Sequence, residues 1–311
     1  MKTWALLGAS LIVAPYAGCG GHGGHAGTPG IGGGAGGSRD AGGDVTRPDT
    51  GGNVADRAEA GMHVDATSGT GGARVDAGGA GGGGGAYSPC PGNGSPCIII
   101  PLGDSITDGY PYEAGGYRVE LFHQAVQAST PITFVGRNFN GPATVDNMPF
   151  PKGHEGYVGY DVDTDPKDPG ITPLVDGAIA MFHPHIVLLE IGTNDVDVSF
   201  DLANAPTRLG VLIDKIINDA PNALVMVAQV TPSTDAATNA RIVTYNAAIP
   251  AVVQHRAAAG KHVAVVDIYS AFAARADFAS TLMWDDLHPD TDGYILLGDT
   301  WYGAIKSVLK R

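Results

Sequence analysis

The 311-residue sequence is poor in basic residues: 18 Lys and Arg stand against 32 Asp and Glu, for a formal net charge of −14 at pH 7. Proteins bind phosphate backbones with clustered Lys and Arg. No basic run occurs in this sequence, and no platform of aromatic residues for stacking bases is evident. The composition therefore argues against a nucleic-acid partner.

Long hydrophobic runs are also missing. The apolar run over residues 4–14 is too short to span a bilayer comfortably, and with Lys2 in front of it the segment has the form of a signal peptide. The four residues that follow, Tyr16-Ala17-Gly18-Cys19, resemble the cleavage box of bacterial lipoproteins, in which the cysteine is lipidated. That box usually has leucine where Tyr16 stands.

We expect residues 1–19 to be a lipoprotein-like signal peptide, with Cys19 lipidated and anchoring the protein to a membrane. The alternative is ordinary cleavage near Ala17 and secretion of a soluble protein. Either way, the rest of the chain lies outside the cytoplasm, secreted or held at the cell surface.

Cysteine is scarce, with three residues in the whole chain. Cys90 and Cys97 enclose a loop of Pro, Gly, Asn and Ser that can bring two Cα atoms within bridging range, and an exported protein meets oxidising conditions. We predict a disulfide between them; two free thiols are the alternative. A zinc site needs more ligands than two cysteines, and no Cys or His cluster stands nearby.

Long aliphatic and aromatic side chains are nearly missing between Gly20 and Ala86, where 26 of 67 residues are glycine. Such a segment cannot bury enough apolar surface to offset its ordering entropy, so residues 20–86 are predicted to be a disordered linker. The folded domain is predicted to be residues 87–311, a length that suits a single α/β domain.

Apolar runs alternate with helical periodicity in this domain, and little periodicity is present over the loop Asn138–Pro173. Because the apolar runs lack polar alternation, they indicate strands buried on both faces, in a parallel sheet with helices on each side. The predicted strands are Ile98–Pro101, Ile132–Val135, His185–Ile191, Ala223–Val230 and His262–Ile268. The predicted helices are Tyr117–Ala128, Pro173–Phe182, Pro206–Asp219, Thr238–Ala259 with an interruption at Pro250, and Asp292–Leu309.

Polar residues that can carry out chemistry follow these strands. Ser105 comes directly after the first strand, in the turn Gly103-Asp104-Ser105, at the end of the sheet where α/β proteins place reacting groups. A serine in such a turn more often caps the next helix. Asn194 follows the third strand, and His288 stands just before the last helix.

Together these residues supply the groups that catalysis by a nucleophilic serine requires. A serine hydroxyl needs a base to accept its proton, and His288 supplies one. Asp285, three residues earlier, would orient the imidazole, with Asp286 as a competitor. The backbone N–H groups of Ser105 and Gly159 and the side-chain amide of Asn194 would bind the oxyanion.

The motifs occur in the order of the four blocks of the SGNH hydrolases, also called the GDSL esterase family. The chain resembles that family over nearly all of residues 98–310, and the blocks are Gly103-Asp104-Ser105, Gly159, Gly192-Thr193-Asn194-Asp195 and Asp285-Asp286-Leu287-His288-Pro289. Longer strings, among them His154-Glu155-Gly156-Tyr157-Val158-Gly159, are most similar to carbohydrate esterase family 3, the acetylxylan esterases. Ile106 replaces the leucine of the family motif, and Tyr157-Val158 replaces a common His-Ser.

The resemblance implies a three-layer α/β/α sandwich of flavodoxin-like type with a parallel sheet of about five strands. It also implies removal of acetyl groups from a polysaccharide such as acetylated xylan, with no metal or cofactor, and we expect a monomer. Two alternatives stay open: a lipase, lysophospholipase or thioesterase acting on other acyl esters, and a surface module that binds glycans without catalysis. The loop acids Asp161, Asp163, Asp165 and Asp168 are interpreted as solvated rather than as a calcium site.

Overall fold

The computed structural model of the chain describes residues 87–112, 114–199 and 201–309. The predicted signal peptide over residues 1–19, the lipidation of Cys19 and the linker over residues 20–86 lie outside these residues. Among the helices of the described ranges, none is both long enough and apolar enough to cross a membrane.

The central sheet is mostly parallel and has seven strands: five in the positions that the apolar runs predict, and two more between residues 138 and 156. The strands are β1 (Cys97–Gly103), β2 (Ile132–Phe134), β3 (Asn138–Phe139), β4 (Thr144–Val145), β5 (Met148–Pro149), β6 (Gly153–Gly156), β7 (Ile186–Glu190), β8 (Leu224–Ala228) and β9 (Val263–Val266). The two additional strands of the central sheet are β3 and β6, and β4 and β5 form a separate two-stranded sheet.

The five predicted strands run parallel in the order β2-β1-β7-β8-β9. In chain order this is 2-1-3-4-5, the flavodoxin-like arrangement. β6 pairs in parallel with the carboxyl-terminal part of β1, beyond the part that β2 covers, and β3 pairs antiparallel with β6. The order reverses beside β1, and ligands of such sheets bind at that reversal.

Helices cover both faces of the sheet, with further short helices in the loops. They are α1 (Ser105–Asp108), α2 (Tyr117–Gln127), α3 (Val175–Phe182), α4 (Thr193–Asp197), α5 (Ala205–Asp219), α6 (Ala236–Ala258), α7 (Ile268–Ala273), α8 (Phe278–Thr281) and α9 (Thr291–Leu309). Single 3₁₀ turns occur at Thr172–Leu174 and Leu202–Asn204.

Two apolar cores lie on opposite faces of the sheet because successive side chains of a strand point to opposite sides. In β7, Ile186 and Leu188 join the core under α2, α7 and α9. Val187 and Leu189 join the core under α3, α5 and α6. A strand between two helix layers is apolar at most positions, as β7 is from Ile186 to Leu189. The predicted three-layer α/β/α sandwich of flavodoxin-like type is confirmed.

The predicted interruption at Pro250 is wrong: α6 continues through it. Proline has no N–H, so the carbonyl of Asn246, four residues earlier, loses its helical partner. The side-chain amide of Gln229 donates to that carbonyl over 3.2 Å and replaces the missing bond. A residue distant in sequence thus makes the proline tolerable inside the helix.

The prediction of a loop over residues 138–173 is wrong in part. The segment contains β3, the antiparallel pair of β4 and β5, and β6, whose four residues are all buried. Three of these four strands have only two residues, and so short a strand carries no readable periodicity.

A disulfide joins Cys90 to Cys97, with the Cα atoms 4.9 Å apart. Cys97 is the first residue of β1, so the bond fastens the segment before the sheet to the strand that leads to Ser105.

Candidate active site

Ser105 is the first residue of α1 and is only 3% exposed. The helix cap is Asp104 rather than Ser105: the Asp104 carboxylate accepts the N–H of Ile106 over 3.0 Å. This arrangement leaves the serine hydroxyl for another partner. Gly103 makes the close packing possible, since a Cβ there would stand 2.0 Å from the carbonyl oxygen of Glu190 on β7.

The hydroxyl oxygen of Ser105 lies 2.9 Å from Nε2 of His288, although 183 residues separate them in sequence. Nδ1 of the same ring lies 3.0 and 2.9 Å from the two carboxylate oxygens of Asp285. Asp285 also accepts the backbone N–H groups of Leu287 and His288, over 2.8 and 2.7 Å. A serine, an imidazole and a carboxylate therefore form one hydrogen-bonded series.

The surroundings of Asp285 favour the ionised form of its carboxyl group. Partial burial pushes its pKa upward, but hydrogen bonds from the backbone of Leu287 and His288 and from the imidazole outweigh burial and hold the pKa below its usual range. Asp286, the competitor in sequence, faces elsewhere: its carboxylate accepts the hydroxyl of Thr234, and its carbonyl accepts the N–H of the same threonine over 3.1 Å.

Gly159 lies in a tight turn just after β6. The N–H of Tyr160 donates to the carbonyl of Tyr157 over 3.2 Å, which makes Gly159 the third residue of the turn, and its φ of +79° is one that favours glycine. The N–H of Tyr157 donates to the carbonyl of Gly103 over 3.0 Å. The turn is thereby fixed to the strand that carries Ser105.

Asn194 lies in α4, which begins directly after β7. One N–H of its side-chain amide donates to the carbonyl of Tyr160 over 2.8 Å, so Asn194 holds the same turn from the other side. The amide has a second N–H. As the first residue of a helix, Ser105 likewise has a backbone N–H without a partner inside the helix.

The unusual Tyr157 of the turn is anchored to the sheet. Its hydroxyl donates to the carboxylate of Glu155 over 2.6 Å, and the same carboxylate forms an ion pair with Arg137, also at 2.6 Å. Glu155 is fully buried and is itself a residue of β6, where it pairs with Leu102 of β1. The departure from the family's His-Ser is therefore accommodated by a hydrogen bond within the chain.

Two further carboxyl groups near Ser105 are buried. Burial raises the pKa of Asp104 to about 7, against the opposing effect of its hydrogen bond from Ile106. Glu190, at the end of β7, is also fully buried, and burial and the nearby Asp104 raise its pKa well above the usual range. Sequence reasoning did not single out Glu190, because one acidic residue at a strand end carries no distinguishing pattern.

Three of the four loop acids come close together. Asp161, Asp165 and Asp168 have carboxylate oxygens within 4.8 Å of one another, an arrangement that could hold a cation, whereas Asp163 is not part of the group. Asp161 is buried, and burial followed by repulsion from Asp195, Asp165 and Asp168 raises its pKa to about 7. The interpretation of these acids as fully solvated therefore fails for Asp161.

Sequence reasoning missed an aromatic surface beside the site. The rings of Tyr110 and His288 have centroids 4.6 Å apart, and the rings of Tyr112 and Trp284 meet edge to face at 5.7 Å. The position of Trp284, one residue before Asp285, was the one signal in the sequence that it lies at the site. Tyr110 and Tyr112 stand five and seven residues after Ser105, but nothing in the sequence shows that their rings meet His288 and Trp284.

The fold and the hydrogen-bonded series at the carboxyl ends of β1 and β7 are those of a carboxylic ester hydrolase. More narrowly, the chain belongs to the GDSL-like lipase/acylhydrolase family, whose sequence profile matches residues 102–296. The resemblance to that family, and within it to carbohydrate esterase family 3, is confirmed.

Several known proteins are similar to this chain. A solved family 3 carbohydrate esterase of Clostridium thermocellum is 33% identical, with a TM-score of 0.57 over 69% of this chain and 97% of that one. A family 3 carbohydrate esterase from Talaromyces cellulolyticus, 23% identical, has the same fold, with a TM-score of 0.56 over 68% of this chain and 98% of that one. A multidomain esterase of Ruminococcus flavefaciens is 32% identical over 233 residues, 68% of this chain.

The chain spans 29% of the Ruminococcus protein. A second curated relative, from Acetivibrio thermocellus, is 34% identical over 149 residues, which are 48% of this chain and 62% of that protein.

Proposed function

We propose that the protein is a serine esterase that removes O-acetyl groups from a polysaccharide such as acetylated xylan. The observation that carries the proposal is the 2.9 Å contact between the Ser105 hydroxyl and Nε2 of His288, with Asp285 bound to the other nitrogen of the ring. Because Asp285 accepts the Nδ1 proton, Nε2 is left as the acceptor for the serine proton.

The reaction proceeds in two stages, acylation of Ser105 and then hydrolysis of the acyl-enzyme. In the first, the Ser105 oxygen attacks the acetyl carbonyl carbon while its proton moves to Nε2 of His288. The imidazolium then gives that proton to the sugar oxygen, which leaves as a hydroxyl, and an acetyl-serine ester remains. In the second, His288 takes a proton from water, the hydroxide attacks the ester, and acetic acid leaves as that proton returns to Ser105; the acid then ionises to acetate in solution.

The oxyanion of each tetrahedral intermediate is assigned to three donors: the backbone N–H groups of Ser105 and Gly159, and the amide of Asn194. The bonds of the 157–160 turn to Gly103 and to Asn194 support this assignment, since donors held in place before the reaction need no reorganisation during it.

Two observations support an acetylated glycan as the substrate. The Clostridium thermocellum structure with 33% identity is described as a family 3 carbohydrate esterase. The nucleophile is nearly buried, and such a site favours a small acyl group. We further propose that the protein acts outside the cytoplasm, secreted or anchored through Cys19, with residues 20–86 as a linker to the domain over residues 87–311.

The test is the release of acetate from acetylated xylan by the full-length protein and by the Ser105→Ala and His288→Ala variants. Ser105→Ala should reduce the rate to background, since loss of such a nucleophile costs roughly a millionfold. Ser270→Ala, which removes an exposed hydroxyl in α7, is the matched control and should release acetate like the wild type. Equal release by Ser105→Ala and wild type would contradict the mechanism.

Hydrolysis of longer acyl esters is the second candidate, and one specific observation favours it. A cavity of about 270 Å³ lies between the segment that follows α1 and the first turns of α2 and α9, and its lining includes the apolar parts of Tyr112, Val119, Tyr294 and Ile295. An acyl chain could enter such a cavity. Rates on p-nitrophenyl acetate and p-nitrophenyl octanoate separate the candidates, and a faster reaction with octanoate would favour the second.

A further inference from the structure

Three exposed aromatic side chains lie next to the reacting groups. Tyr110 is 39% exposed, Tyr112 is 44% exposed and Trp284 is 57% exposed. The Tyr110 ring lies against the imidazole of His288, and the Tyr112 ring meets the edge of Trp284. These three residues are called the aromatic surface below.

Exposure of these three rings to water is unfavourable when no ligand covers them. Of the two tryptophans in the described ranges, Trp301 is fully buried in the core and Trp284 is mostly exposed. A single exposed apolar residue needs no explanation, but adjacent aromatic rings beside a nucleophile indicate a binding surface.

The aromatic surface is held in place without a ligand. The N–H of Trp284 donates to the carbonyl of His288 over 2.8 Å, within the loop that carries the base. The N–H of Tyr110 donates to the carbonyl of Ser105 over 3.0 Å, and its own carbonyl accepts the hydroxyl of Tyr294 over 2.6 Å. These bonds fix the backbone that carries Tyr110 and Trp284, which reduces the ordering entropy that a stacking ligand has to overcome.

Charge around the aromatic surface indicates which ligand it fits. A cavity of about 350 Å³ lies next to Asp285. Among the residues that the structure describes, its lining contains four carboxylates and no Lys or Arg; these are Asp197, Asp235, Asp285 and Asp286. Carboxylates accept hydrogen bonds from hydroxyl groups and repel anions. These carboxylates disfavour an anionic ligand and suit one rich in hydroxyl groups. The rings suit an apolar face, and a pyranose sugar provides both features.

We propose that Tyr112 and Trp284 bind a sugar ring of the neutral glycan chain that carries the ester, next to the acetylated residue held at Ser105. Tyr110 extends the surface toward His288 and the scissile bond. This inference rests on the proposed esterase function and adds to it the part of the site that distinguishes a polymer from a small ester.

The first test compares two substrates in the full-length protein: acetylated xylan, which spans the aromatic surface, and p-nitrophenyl acetate, which does not. The readout is the ratio of kcat/KM on xylan to kcat/KM on the small ester. We expect Trp284→Ala to lower this ratio about tenfold, which corresponds to about 1.4 kcal/mol. Tyr112→Ala should lower it several-fold, and Trp284→Phe should retain most of it because a ring is kept.

Phe139→Ala is the matched control, since Phe139 is an exposed aromatic (71%) on β3, outside the aromatic surface. The ratio of the two kcat/KM values in this variant should equal that of the wild type. An unchanged ratio in Trp284→Ala and Tyr112→Ala would overturn the proposal, even if both rates fell together, because that would show an effect on the His288 loop alone. A selective loss on p-nitrophenyl octanoate would also overturn it and assign the rings to an acyl chain.

The second test measures binding without turnover and separates failure of the subsite from failure of the esterase. Titration of Ser105→Ala with xylohexaose should change the intrinsic tryptophan fluorescence, and the additional change Trp284→Ala should remove that response. If the wild type hydrolyses p-nitrophenyl acetate and xylohexaose gives no response, the subsite is wrong and the esterase stands. If xylohexaose binds and no ester is hydrolysed, the proposed function is wrong and the subsite stands.

Discussion

Replacing Asn194 with alanine tests whether its side-chain amide acts in catalysis or only in holding the structure. One N–H of the amide holds the carbonyl of Tyr160 at 2.8 Å, and the other is assigned to the oxyanion. Loss of an oxyanion donor costs roughly 100- to 1,000-fold in kcat, or about 2.7–4 kcal/mol of the barrier. Loss of the bond to Tyr160 costs about 1 kcal/mol of stability, which lowers Tm by about 2–4 °C in a domain of this size.

The assay combines kinetics on p-nitrophenyl acetate with thermal denaturation. KM should stay close to the wild-type value, because the oxyanion forms only in the transition state. Asn246→Ala is the control: that buried amide makes two 2.9 Å bonds to the backbone of Val230 and is not one of the assigned oxyanion donors, so Tm should fall while kcat is kept. If the kcat of Asn194→Ala falls by less than tenfold (about 1.4 kcal/mol) while its Tm still falls, the amide acts only as a structural group.

Three further predictions follow from individual contacts. Asp285→Asn should lower kcat on p-nitrophenyl acetate by roughly 10⁴-fold, whereas Asp286→Asn, whose carboxylate binds a loop threonine, should stay near wild type; equal losses would contradict the assignment of the orienting acid. Because burial raises the pKa of Asp161 to about 7 from an ordinary 3.8, folding favours its protonated form and stability falls as pH rises from about 4 to about 7. Thermal denaturation in EDTA should therefore show a larger gain in Tm for Asp161→Asn at pH 8 than at pH 5, and a gain independent of pH would refute this. Replacing both Cys90 and Cys97 with serine opens a loop closed over a sequence separation of seven residues and should cost about 2 kcal/mol; an unchanged Tm would show that the bond contributes nothing to stability.

The sheet could be predicted from the sequence because its strands leave a strong signal. A strand between two helix layers is apolar at every position, as Ile186 to Leu189 are in β7, and such runs stand out from the helical periodicity around them. Elsewhere, tertiary contacts outweigh the local preferences of the sequence. Pro250 predicts a break in α6, but the distant Gln229 supplies the missing hydrogen bond.

The reacting groups were predictable for a different reason. Ser105 and Asn194 follow the neighbouring strands β1 and β7, whose carboxyl ends lie at one edge of the sheet, so topology brings them near one another. His288 follows no strand, and it was the family's Asp-x-x-His block that indicated it. The aromatic surface was not predictable, because Tyr112 and Trp284 are far apart in sequence and meet through two loops whose conformations no local pattern fixes. The burial of Asp161 among other acids likewise depends on how its loop folds against α4 and α5.

The most direct test of the account is covalent labelling with a fluorophosphonate, which reacts with serines that an adjacent base activates. We predict one adduct per chain, located at Ser105 by peptide mass spectrometry, and none in the Ser105→Ala or His288→Ala variants. Labelling of Ser105→Ala to the wild-type extent, or no labelling of the wild type while it hydrolyses p-nitrophenyl acetate, would contradict the assignment of Ser105 as the nucleophile.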